Sequence, residues 1–266
     1  MKFKRSERLI DMQAYLMDRP GQSIPLRFFS QRYNAAKSSI SEDLTILKNT
    51  MKERGLGEIR TSTGSGGGCI YVMKLSEEGS RASVEDVIQV LSEESRILPG
   101  GYIYLTDILG RPEILKKIGR IMASYISELP DYILTVETKG IPLGQALAYE
   151  LGVPMVIARK DSKVTEGPTL TVKYTSESEP RLVRTMGLSQ DLLNPGSKLV
   201  LIDDFYRGGG TMEAMVSLAE IFKTEVTDAF VLCENVSDKI NPRVKSLIRI
   251  REDGGKISLE EGSLFE

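Results

Sequence analysis

Thirteen residues constrain this chain more than any others: Leu199 to Thr211, LVLIDDFYRGGGT. Leu199, Val200, Leu201 and Ile202 form an apolar run of strand length, the pattern of a strand buried on both faces of a parallel sheet. Two carboxylates follow, Asp203 and Asp204. Phe205, Tyr206 and Arg207 then lead into Gly208, Gly209, Gly210 and Thr211. From there the spacing of Met212, Met215, Val216, Ala219 and Phe222 is helical. The order is buried strand, acidic pair, glycine loop, helix. Backbone N–H groups in such a loop can converge on a phosphate, and the helix dipole adds to the attraction. The acidic pair can accept hydrogen bonds from ribose hydroxyls. Read blandly, the same stretch is a helix-opening loop of an ordinary α/β protein.

The stretch resembles the phosphoribosyl-pyrophosphate (PRPP) motif of the type I phosphoribosyltransferases. The resemblance implies that Asp203 and Asp204 hold a ribose, and that Gly208 to Thr211 hold its 5′-phosphate. It extends to a second strand and loop. Tyr132 to Thr138 reads as a strand, TKGIPLG follows, and a helix runs through Glu150. In that family the loop after this strand holds pyrophosphate. Thr138, Lys139 and Gly140 are therefore expected to supply N–H groups and one positive charge, with unusual peptide geometry near Thr138–Lys139. A third strand, Pro154 to Arg159, ends in RKDSK, which clusters Arg159, Lys160 and Lys163. These are candidates for pyrophosphate contact, or else a solvated charge run. Gly167 to Arg184 looks like the family's flexible flap. Tyr102, in an expected strand Tyr102–Leu105, is a candidate for stacking on a ligand base, although a core tyrosine is the better-fitting reading.

Charge divides the chain. Residues 1–74 hold thirteen Lys or Arg against seven acids, so they carry +6 of a total of −2 and leave −8 on residues 75–266. A basic head on an acidic body suggests a nucleic-acid module. In the head, Ser6 is the expected cap of a first helix, Pro25 opens a second, and Ser38 or Ser39 caps a third. Ile40, Leu44, Leu47 and Met51 share one stripe of the third helix. Ser38, Glu42, Thr45 and Asn49 lie opposite, with Lys37, Lys48 and Lys52 at hand. Small polar groups opposite a buried stripe suit a helix that enters a major groove. Two short strands around a glycine-rich tip then make a wing, with Arg60 its nearest positive charge. The pattern is a winged helix-turn-helix, with Lys37, Ser38, Ser39, Glu42, Thr45, Lys48 and Arg60 as candidate DNA contacts. A helical dimerisation module with a solvated polar face is the other reading.

The polar segment Lys74 to Ala82 reads as a linker, followed by a helix capped by Ser83. A helix from about Arg111 to Glu128 and final strands Val226–Leu232 and Leu247–Ile250 complete the alternation. The expected fold is α/β: a winged-helix domain at 1–74, and at 75–266 a phosphoribosyltransferase-like domain with a mostly parallel sheet. There is no histidine, which removes the commonest general base and transition-metal ligand. Cys69 and Cys233 have no metal spacing, and no metal-ligand set is identified. No apolar run has membrane-spanning length, the charged N-terminus has no signal core, and a reducing cytoplasm is the expected location.

Together with SSISEDLTILK, VETKGIPLG and IDDFYRGGGT, the whole pattern is similar to the purine operon repressors of Gram-positive bacteria. The resemblance implies a homodimer on double-stranded DNA. Its body binds PRPP with Mg²⁺, or a guanosine polyphosphate in the same loops, as an effector. Arg207 falls where the hypoxanthine-class enzymes carry an acid. Arginine stays charged and cannot relay that proton, so no catalytic residue is assigned. An active phosphoribosyltransferase with a secondary regulatory role is the alternative.

Overall fold

The computed structural model of the chain describes residues 3–62, 67–98, 102–160, 167–176, 179–235, 241, 243–253 and 256–266. It divides into two units, Met1–Gly79 with Glu150–Gly152, and Ser80–Tyr149 with Val153–Glu266.

The first unit runs α1 (Arg5–Met17), β1 (Ile24–Pro25), α2 (Leu26–Tyr33), α3 (Lys37–Glu53), β2 (Glu58–Thr61) and β3 (Gly68–Val72). The three strands form one antiparallel sheet in the order β1-β3-β2. This succession is that of a winged helix-turn-helix. Pro25 is the N-cap of α2, where its fixed φ suits helix entry. Asn34 ends α2 in the left-handed region, φ 47°, and starts the short turn into α3. Met12, Leu16, Phe29, Tyr33, Ile40, Leu44, Leu47 and Met51 are buried, so the expected stripe of α3 is its core face. The Tyr33 hydroxyl donates to Asp11 at 2.7 Å, and Arg32 grips the same carboxylate from Nε at 2.7 Å. The expected caps are displaced. Lys4 and Ala36 are the N-caps of α1 and α3, which leaves Ser6, Ser38 and Ser39 inside first turns. Glu7 instead accepts the Lys4 backbone N–H at 2.8 Å. The tip of the wing lies outside the described residues.

The second unit contains most of α4 (Glu77–Leu91), then β4 (Ile97–Leu98), β5 (Tyr102–Ile103), α5 (Pro112–Ser124), β6 (Tyr132–Val136), α6 (Gly140–Leu151) and β7 (Met155–Ala158). It continues with β8 (Thr169–Ser176), β9 (Glu179–Ser189), β10 (Lys198–Tyr206), α7 (Gly210–Ile221), β11 (Glu225–Asn235), β12 (Val244–Asp253) and β13 (Lys256–Glu261). The main sheet has the order β13-β12-β11-β10-β6-β7 and is parallel except at β13. Leu199, Val200, Leu201 and Ile202 are fully buried, as the unbroken apolar run requires. Each such side chain stabilises the fold by about 1.5–3 kcal/mol. Leu134, Val136, Leu199, Leu201, Ala229 and Val231 pack with α7 and with Val172, Met186 and Leu188 of the β8–β9 hairpin. The hairpin base is therefore core, and only its outer part can serve as a flap.

Several expected boundaries change. The linker segment is helical from Glu77, which puts Ser83 inside α4. The helix expected to reach Glu128 stops at Ser124, and the strand expected over Tyr102–Leu105 is two residues long. Antiparallel β13 carries no signal used above, because its alternation is short and mostly polar. No helix among the described residues is long and apolar enough to cross a membrane.

Candidate functional site

The sheet order creates a crevice. From β6 the chain crosses through α6 to β7 on one side, and from β10 it crosses through α7 to β11 on the other. β6 and β10 are neighbours whose connections leave in opposite directions. Open α/β sheets bind ligands outside the carboxyl ends of such a pair. The two loops singled out in the sequence leave from these two strand ends.

On the β6 side, Thr138 and Lys139 are exposed and Gly140 is buried as the first residue of α6. The Glu137–Thr138 peptide is cis, one bond before the place where unusual geometry was expected. The Lys160 N–H donates to Glu137 Oε1 at 2.8 Å, which ties the end of β7 to this loop. Arg159 is exposed, pairs through its backbone with Gly187, and lines a cavity of about 500 Å³ with Ile141, Met155, Ile157 and Leu192. Lys163 and the side chain of Tyr102 lie outside the described residues.

On the β10 side, the strand continues to Tyr206, so Asp203, Asp204 and Phe205 are strand residues rather than loop residues. Asp203 is 6% exposed and accepts the Asp204 N–H at 2.9 Å. Burial first, and then the adjacent Asp204 charge, push its carboxyl well above the usual range. Lys139 Nζ stands 3.9 Å from Asp204 Oδ2, so the two loops face each other across the crevice. Arg207 is exposed, while Phe205 and Gly208 are half-buried. Gly208 and Gly209 have φ of 66° and 77°, a region that favours glycine. Gly209 is the N-cap of α7 and gives no side-chain bond to the helix, whose first turn holds Gly210 and Thr211. The glycine loop is thus shorter than its sequence suggests, and half of it is the helix N-terminus, with N–H groups suited to an anion. Tyr206, 5% exposed, lies beneath: a methyl at Gly209 would come within 2.8 Å of its hydroxyl. Among the described residues, no group of three or more metal-ligating side chains is present.

In the head, Lys37, Ser38, Glu42, Thr45, Lys48, Asn49 and Lys52 are all exposed, and Ser39 is half-buried. The Thr45 hydroxyl donates to the Ser41 carbonyl of its own helix at 2.9 Å. Arg60, exposed on β2, has Glu58 at 3.9 Å. Glu42 is met by Arg5 Nη2 at 3.4 Å. Its neighbour Asp43, which the sequence reading passed over, is fully buried and accepts from Arg5 Nε at 3.0 Å and Arg8 Nε at 2.8 Å. Its place beside Leu44 and three residues after Ile40, on the apolar stripe, was the available signal.

The comparisons follow this division. Residues 4–73 match the bacterial purine repressor N-terminal domain, and residues 105–254 match the phosphoribosyl transferase domain. Adenine phosphoribosyltransferase from Thermoanaerobacter pseudethanolicus superposes with a TM-score of 0.53 at 25% identity, over 62% of this chain and 99% of that one. The fold and crevice thus define a phosphoribosyltransferase-fold body joined to a repressor-type head. Over 99% of its length the chain is 44% identical to the purine biosynthesis transcriptional repressor PurR of Bacillus subtilis (strain 168), covering 92% of that protein. Over 98% it is 42% identical to the purine biosynthesis transcriptional activator PurR of Lactococcus lactis subsp. lactis (strain IL1403), covering 98% of it. The chain belongs to this family of bacterial purine biosynthesis transcriptional regulators.

Proposed function

We propose that the chain binds double-stranded DNA through α3 and the wing, as a homodimer, and that PRPP in the β6–β10 crevice sets its DNA affinity. The observation that carries the effector reading is the approach of Lys139 to Asp204. It puts a pyrophosphate-type loop and a ribose-type acid pair within reach of one small molecule. Thr138 to Gly140 take the pyrophosphate, Asp203 and Asp204 the ribose hydroxyls, and Gly208 to Thr211 the 5′-phosphate. Two carboxylates are too few to cage Mg²⁺. The ion fits best as one that arrives with the ligand, whose phosphate oxygens and waters complete the shell. Repression or activation then follows from linkage: an effector that prefers one DNA-binding state is itself preferred by that state.

The crevice serves binding rather than turnover. Arg207 stands where a proton-relaying acid would be needed, and a guanidinium holds its proton throughout. The family resemblance of the body to active enzymes makes the assay direct. DNA affinity is measured with and without PRPP and MgCl₂, and pyrophosphate release from PRPP is followed with each purine base. A PRPP-dependent shift without release supports the reading. Release at ordinary enzyme rates overturns the non-catalytic part, and DNA affinity indifferent to PRPP overturns the sensor. A guanosine polyphosphate added in competition tests the second occupant of the same loops.

A further inference from the structure

Thr135 is the polar residue in the otherwise apolar strand YILTV, and it is fully buried. It stands opposite Ile202 in the last pair of the β6–β10 ladder. Beyond that pair the two strands part, one toward the Thr138 loop and the other toward Asp203. The Thr135 hydroxyl donates to the Ile202 carbonyl at 2.9 Å. A side-chain bond therefore closes the ladder where the backbone pairing ends, one residue before the acidic pair.

The start of α6 is fitted around the same side chain. A methyl at Gly140 would overlap Thr135 Oγ1, and would come within 3.4 Å of the Ile202 carbonyl and 3.5 Å of Asp203 Oδ1. A methyl at Gly144, one turn on, would lie 3.3 Å from Thr135 Cγ2 and 2.8 Å from Met155 Sδ. Gly140 and Gly144 together make a notch that receives both branches of the threonine. The glycines of TKGIPLG thus let α6 descend onto β6, in addition to any N–H group Gly140 offers to a ligand.

We infer that Thr135 is a positioning residue that fixes the distance between the pyrophosphate loop and the ribose-holding carboxylates. It touches no ligand. Its hydroxyl holds the Ile202–Asp203 end of β10 against β6, and its body sets the depth of α6, whose first residue closes the other loop. This rests on the effector reading above and adds a consequence that reading lacks. A ligand that spans both loops gains from having its second end held near its second site, and that gain depends on the spacing of the two half-sites. A ligand that fills only one half-site is indifferent to the spacing.

The test uses the full chain with MgCl₂ and titration calorimetry of three probes: PRPP, inorganic pyrophosphate and ribose 5-phosphate. Thr135→Val keeps the shape and removes the donor. It is expected to weaken PRPP by about tenfold while each half-ligand stays within about twofold of wild type. Thr135→Ser restores the donor and is expected to recover PRPP binding. Gly144→Ala, which presses on the threonine from the opposite side, is expected to reproduce the selective loss. Unchanged PRPP affinity in Thr135→Val overturns the inference, and so does a parallel fall of all three probes, which is a general loosening of the site. A wild-type chain that binds none of the three overturns the effector reading itself.

Discussion

Replacing Asp43 by alanine should loosen α3 without touching its exposed polar side. The carboxylate is fully buried, and two arginines of α1 converge on it. Arg8 is only 14% exposed, so its 2.8 Å bond is a largely buried, charge-assisted one. Such a bond contributes about 1.5–3 kcal/mol. Arg5 is 51% exposed, and solvent screens most of its share. That pair adds about 0.5 kcal/mol. The expected loss is therefore about 2–3.5 kcal/mol, centred on the α1–α3 contact. Hydrogen exchange of the α3 amides, followed by mass spectrometry on the full chain, should accelerate by about 30- to 400-fold. Glu42→Ala is the control: its partner is the same Arg5 at 3.4 Å, but its side chain is 69% exposed. It should change exchange by about twofold or less. Unaltered α3 protection in Asp43→Ala, or equal effects of the two substitutions, would refute the argument.

Three further outcomes are expected. Asp203→Asn should abolish the PRPP response yet stabilise the ligand-free body. The native carboxyl titrates above its usual range, so the unfolded chain gives up its proton first. Wild-type stability therefore falls relative to the variant from about pH 4 through neutral; parallel melting-temperature profiles would contradict this. Gly209→Ala puts a methyl at φ 77° and against the Tyr206 hydroxyl. It should cost about 1–2 kcal/mol and lose the effector response in a gel shift that still shows DNA binding. Lys48→Ala should weaken binding to every duplex and flatten the log–log salt slope by about 0.9 if the side chain meets one phosphate; an unchanged slope removes it from the interface.

The crevice that we propose as the effector site was legible in part because the residues of its β10 side are contiguous. Phosphate and ribose binding by backbone N–H groups and paired carboxylates needs those residues next to one another in the chain, so Asp203, Asp204 and Gly208 to Thr211 announce themselves. What supports them was less visible. Thr135 at the fork acts across strands on Ile202, and spacing along the chain carries no mark of that partner. Tyr206 packs on Gly209 only three residues away, but through a turn whose shape the fold sets.

From the amino-acid order alone came the two-part organisation, the buried strand Leu199–Ile202, the exposed and buried sides of α3, and the two loops that flank the crevice. Periodicity, net charge and local turn chemistry are properties of neighbouring residues, and they survive without a fold. The tertiary structure decided which of two adjacent acids, Glu42 or Asp43, is buried, and where caps fall when serines compete with Lys4 and Ala36. It also brought Lys139 to 3.9 Å from Asp204, sixty-five positions away. Burial and through-space charge depend on what the rest of the chain brings alongside, and only folding supplies that.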